Sequence, residues 1–146
     1  MNVIETRNRI TLFISVFFFY AAFFACSAPE GPDPYAEDPR EKFEGNWVCQ
    51  ENCSSDSTHT TFSVSISINS TTENEVLIYN FSLLGSGYSA RGIVSDYNIT
   101  LPSQVVSSNT IQGSGTLSSS KTQMNMSYSI NDGAATFNYT ATFTKQ

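Results

Sequence analysis

The sequence predicts an all-β fold: about eight antiparallel strands in meander order, closing into a small barrel after an N-terminal helical signal segment and a disordered tether. Three observations predict it. From Phe43 onward apolar residues recur at every second position, the period of a half-buried strand. Turn signals separate the runs, among them Gly85-Ser86-Gly87, Ser107-Ser108-Asn109 and Asn131-Asp132-Gly133. No run in this part combines helical periodicity with capping residues.

The chain opens on Arg7 and Arg9, followed by the apolar run Ile10 to Ala25. The run is shorter than the roughly 20 residues a spanning helix needs. A basic start, a short apolar core and a small residue before a cut are the parts of a secretory signal. Phe23-Phe24-Ala25-Cys26 then resembles the lipobox of bacterial lipoproteins, with Phe23 where that family prefers Leu. The resemblance implies cleavage before Cys26, a diacylglycerol on its sulfur and acylation of the new amino group. Residues 1–25 would be the signal peptide, and the membrane a partner through the N-terminal lipid. Two acyl chains already give stable anchoring, at about 0.8 kcal/mol per buried methylene. Ser27, rather than Asp, follows the cysteine. Within the resemblance this implies the outer membrane of a Gram-negative bacterium, facing either the periplasm or the exterior.

Residues 26–42 form the tether. Pro29, Pro32, Pro34 and Pro39 remove backbone donors and fix φ, so neither helix nor sheet is expected there. The segment is also acidic, with Glu30, Asp33, Glu37, Asp38 and Glu41 against Arg40 and Lys42. Its composition suits a spacer for surface display and a plain linker equally.

The barrel domain is placed at residues 43–146. Its first strand is expected from Phe43 to Cys49. Thr61 to Ile68 is the cleanest alternation, with Phe62, Val64, Ile66 and Ile68 on one face and Ser63, Ser65 and Ser67 on the other. Glu75 to Phe81 reads as a more buried strand, and Tyr88 to Val94 as one weakened by Gly92. Tyr97, Ile99 and Leu101 alternate up to Pro102, after which Gln104 to Val106 continue past a kink. Ile111, Gly113, Gly115 and Leu117 share a face, and the two glycines relieve crowding there. Met124, Met126, Tyr128 and Ile130, then Phe137, Tyr139, Ala141 and Phe143, complete a hairpin around Asn131-Asp132-Gly133. Closure of such a meander removes exposed strand edges.

Gly45-Asn46-Trp47 near the first strand resembles the lipocalins and wider calycin barrels, in which the Trp plugs one end. The whole of Phe43 to Thr144 is similar to small lipocalin-like lipoprotein domains. The similarity is carried, in order, by Asn80-Phe81, Leu101-Pro102-Ser103-Gln104, Gly113-Ser114-Gly115 and Thr142 to Lys145. The chain is shorter than a lipocalin, has no C-terminal helix pattern and offers no evident Arg to stack on Trp47. The resemblance implies a lipocalin-like barrel with Trp47, Phe62, Tyr79, Tyr128 and Tyr139 lining a cavity or filling a core. An eight-stranded interior is only just wide enough to be filled by side chains.

Little else in the sequence carries chemistry. The net charge is -6 and no basic face exists, so nucleic acid is excluded as a partner. Lipidation of Cys26 would leave Cys49 and Cys53, the candidate disulfide, which requires a turn at Glu51-Asn52 because an extended C-x3-C spans about 13 Å. A metal site would need His59 and Asp56 beside these thiols and lacks a fixed fourth ligand, so neither metal nor cofactor is expected. His59, the single histidine, has no nucleophile elbow to serve, and carboxylates are nearly absent from the strands. Asp56-Ser57-Thr58 resembles a short bacterial O-glycosylation motif in an exposed loop. The reading is therefore a non-enzymatic cell-envelope lipoprotein that binds a small apolar ligand, a glycan or an envelope protein. The alternatives are a structural outer-membrane component acting by protein contacts and, less favoured, a hydrolase.

Overall fold

A computed structural model describes residues 37–146; the signal segment, Cys26 and the tether up to residue 36 lie outside the described residues. Eight strands follow one another, each pairing antiparallel with its sequence neighbours: β1 (Gly45–Cys53), β2 (His59–Ile68), β3 (Glu75–Tyr79), β4 (Ser89–Ser95), β5 (Asn98–Val106), β6 (Asn109–Leu117), β7 (Gln123–Asn131) and β8 (Thr136–Lys145). Pairing of β8 with β1, from Trp47 opposite Lys145 to Cys53 opposite Tyr139, closes the barrel. A single 3-10 turn, Phe81–Leu83, interrupts the β3–β4 connection. The all-β meander expected from the period-two pattern is thus the observed architecture.

Inward positions carry the apolar set. Trp47, Val64, Ile66, Ile78, Ile99, Ile111, Met124 and Phe143 are all buried. Seen from outside, β2, β6, β7 and β8 present chiefly Ser, Thr, Asn and Gln, while β3, β4 and β5 also turn Tyr79, Ile93 and Val105 outward. The wall tightens where β6 crosses β7. A Cβ on Gly115 would lie 2.5 Å from Met126 Cγ, and one on Gly113 would meet the backbone of Ser127 and Tyr128. Only glycine lets the two strands approach there.

Pro102 leaves β5 without a backbone donor, and the register shifts between Leu101 and Gln104. The side chain of Gln104 takes over the lost pairing. Its amide accepts from Arg91 N at 2.8 Å and donates to the Arg91 carbonyl at 2.8 Å. The kink expected at this proline is therefore a bulge repaired by an amide.

One barrel end is closed by Trp47. Its indole N–H donates to the Phe43 carbonyl at 2.9 Å, and both residues are fully buried. Arg40 chelates Asp38 and donates to the carbonyls of Asn69 and Thr72, tying the entering chain to the β2–β3 loop. Residues 37–42, assigned to the tether by composition, therefore pack with the barrel. Local proline content carries no signal for this, because the partners are distant in sequence.

Candidate functional site

The interior accounts for four of the five aromatic residues singled out above. Trp47 stops one end, Phe62 lies midway along β2, and Tyr128 and Tyr139 stack near the other end with ring centroids 5.4 Å apart. Tyr79 is a correction. Val76 and Ile78 take the inward positions of β3, which turns Tyr79 to the outer face opposite Ser65 and Ser89. The near-continuous apolar run of β3 hid this parity.

The end opposite Trp47 contains an inward carboxylate. Glu51 lies on the same face of β1 as Trp47, Cys49 and Cys53, and it is buried. It accepts hydrogen bonds from the Tyr128 hydroxyl and, at 2.6 Å, from Ser82 Oγ. Phe81 packs against Tyr128 at 4.6 Å. The turn that presents Ser82 is strained: Asn80, Ser82 and Leu83 all have positive φ, at 57°, 48° and 58°. Burial, reinforced by the bond to Glu51, pushes the Tyr128 hydroxyl far above its ordinary range. Burial also raises Tyr139 to about 12, and it raises Cys49 to about 12 with Glu51 adding to the effect. Such groups stay neutral at physiological pH, which suits a packed stopper and not a nucleophile.

Cys49 and Cys53 are free and buried. The candidate disulfide is thereby corrected. β1 runs unbroken from Gly45 to Cys53, without the turn at Glu51-Asn52 that pairing requires. Cys53 Sγ instead lies 3.1 Å from Ser55 Oγ. His59 opens β2 on the outer face and is exposed. Among the described residues it makes no side-chain hydrogen bond to Ser, Asp or Glu, while Asp56 accepts from the Thr58 backbone. No group of His, Cys, Asp and Glu suited to a metal ion occurs among the described residues.

The outer wall carries a trough of about 820 Å³ across β6, β7, β8, β1 and β2. Gln50, Asn52, Ser114, Asn125, Thr140 and Thr142 represent its outward lining, with His59 at one lip. Apart from His59, none of the outward lining side chains is ionisable. Thr142 Oγ1 donates to Asn125 Oδ1 at 3.1 Å across the β7–β8 seam. Asn52 Oδ1 is shielded from solvent and has no hydrogen-bond partner. A second depression, of about 560 Å³, adjoins the trough at Ser127 and Thr140 and is bordered by Asn138 and the partly exposed Tyr139.

Sequence reasoning missed three of these features. Ending the first strand at Cys49 concealed that Glu51 keeps the inward parity of Trp47. Lys145 lies 98 positions from Trp47 in sequence, yet its Nζ is 5.4 Å from the indole centroid, where the sequence offers no evident Arg. The trough had no local signal, since its residues alternate as ordinary solvated positions and only strand pairing sets them side by side.

No family model and no curated protein matches this chain. Among solved structures it is similar to a redesigned β-barrel, with 17% identity and a TM-score of 0.53, over 75% of this chain and 96% of that one. At this identity the likeness shows the fold alone.

Proposed function

We propose that the chain is a lipid-anchored envelope protein, held at Cys26 in the outer membrane, whose barrel is a non-enzymatic interaction module working through its outer wall. One observation carries the second half of this reading. The barrel interior is occupied by its own side chains from Trp47 and Phe143 at one end to Phe81, Tyr128 and Glu51 at the other. A small apolar ligand would have to displace that core, whereas the wall offers a furrow already open to solvent. The anchor rests on the signal-like run and the lipobox resemblance ending at Cys26.

The test joins both halves. Cells expressing the chain are fed a clickable palmitate analogue, with Cys26→Ser as the comparison, and a photo-crosslinking amino acid is placed at Thr140 or at Ile93 on the far wall. The proposal expects label on the parent only, and crosslinks from Thr140 but not from Ile93. Label retained by Cys26→Ser would refute the anchor. Equal crosslinking from both walls would refute wall-directed contact.

A further inference from the structure

We infer that the outward trough on β6–β7–β8–β1–β2, with the depression that adjoins it, is a binding groove for a neutral oligosaccharide chain. This deepens the wall-contact reading above and rests on it. The argument runs through the chemistry that the groove presents and the chemistry that it lacks.

A protein partner is recognised chiefly by buried aromatic, Met and Arg anchors, with Ser depleted. The outward lining of the trough is Ser, Thr, Asn and Gln, with His59 at one lip and none of those anchors. An apolar ligand needs a mostly apolar pocket, and this wall is mostly hydroxyl and amide. An anionic polymer needs cations, and among the outward lining residues His59 alone could supply one. What the groove offers is a dense array of short neutral donors and acceptors, which matches a ligand whose surface is hydroxyl groups.

Three further details fit such a chain. Thr is stiff about χ1 and Ser and Asn are short, so ordering them on binding costs little. Asn52 Oδ1 is a buried acceptor without a donor, and a ligand hydroxyl parting its strand neighbours His59 and Thr140 would supply one. The volume of the trough falls in the range of established ligand sites, about 300–1,000 Å³.

The test uses the full chain in detergent micelles, titrated calorimetrically with maltohexaose, cellohexaose and chitohexaose, and with hexagalacturonate as the anionic comparison. Backbone amide shifts are followed in parallel. The inference expects saturable binding of at least one neutral hexasaccharide, insensitive to added salt, with shifts gathered at Ser114, Asn125, Ser127, Thr140 and Thr142. The double variant Asn125→Ala, Thr142→Ala should weaken it about tenfold or more, and Thr140→Lys should block it. Ile93→Ser, on the exposed face of β4 across the barrel, should leave it unchanged. Circular dichroism establishes that each variant keeps the parent fold before it is scored. Failure of all three neutral probes, tighter binding of hexagalacturonate, or equal loss in Ile93→Ser would overturn the inference. Crosslinking to a protein from Thr140 without hexasaccharide binding would overturn the inference while leaving the wall-contact reading standing.

Discussion

At one end the barrel is stopped by an indole beneath a lysine, and at the other by a buried carboxylate beneath a strained turn. The Trp47 end is fastened by many separate contacts. Arg40 reaches Asp38 and two loop carbonyls, Lys42 pairs with Asp96 at 2.9 Å, and Lys145 donates to the Lys42 carbonyl at 3.1 Å. At the Glu51 end one side chain receives both Tyr128 and Ser82. A redundant fastening degrades by steps, whereas a single shared acceptor fails all at once.

Mutations can break this contrast in order of size. Trp47→Ala removes the largest fully buried side chain and should cost about 3–5 kcal/mol in urea unfolding. A loss under about 1 kcal/mol would mean that the indole is not the stopper. Glu51→Ala leaves two hydroxyls without their acceptor and should cost about 1–3 kcal/mol. It should also release the Asn80–Leu83 turn, read as faster proteolysis at that turn; Glu51→Gln, which keeps an acceptor, should recover much of both. Lys145→Gln loses a cation over the indole and should cost about 0.5–1 kcal/mol.

The smallest effect is a pH dependence at the Trp47 end. The hydrogen bonds from Arg40 hold the Asp38 carboxyl below its ordinary range. A carboxyl with a lowered folded value stabilises the fold above its unfolded value and loses that contribution as pH falls through the folded one. Acid below about pH 4 should therefore loosen the Asp38–Phe43 segment. The pair is only partly shielded, at 18% and 31% side-chain exposure, so the effect is slight, and Arg40→Gln should abolish it. A melting curve with the same acid sensitivity in Arg40→Gln would assign that sensitivity elsewhere.

Much of the fold was legible because strand period is a local property. Phe62, Val64, Ile66 and Ile68 announce β2 unaided, and the Asn131-Asp132-Gly133 turn announces the β7–β8 hairpin. The far end of β1 was not legible, because Gln50, Glu51 and Asn52 look like a turn beside two cysteines. Pairing with His59–Thr61 on one side and Thr140–Thr142 on the other holds them extended. That pairing is long-range and overrides local composition. The same reason separates Cys49 from Cys53 and buries Glu51. The wall trough is less legible still. Asn125, Thr140 and Asn52 lie on three strands that closure brings side by side, and no window of sequence contains all three.

The amide patch at Gln104 has a mechanical consequence. Backbone pairing between β4 and β5 is confined to Ile93, Val94 and Ser95, and between β2 and β3 to Ser65 through Ile68. The β3–β4 hairpin therefore hangs between the two shortest seams of the cylinder. Its amides should exchange with solvent deuterium ahead of those in β6, β7 and β8, and Gln104→Ala should widen that gap. Opening is thus expected at one flank, while the flank across from it, where the groove lies, is held by the longer seams.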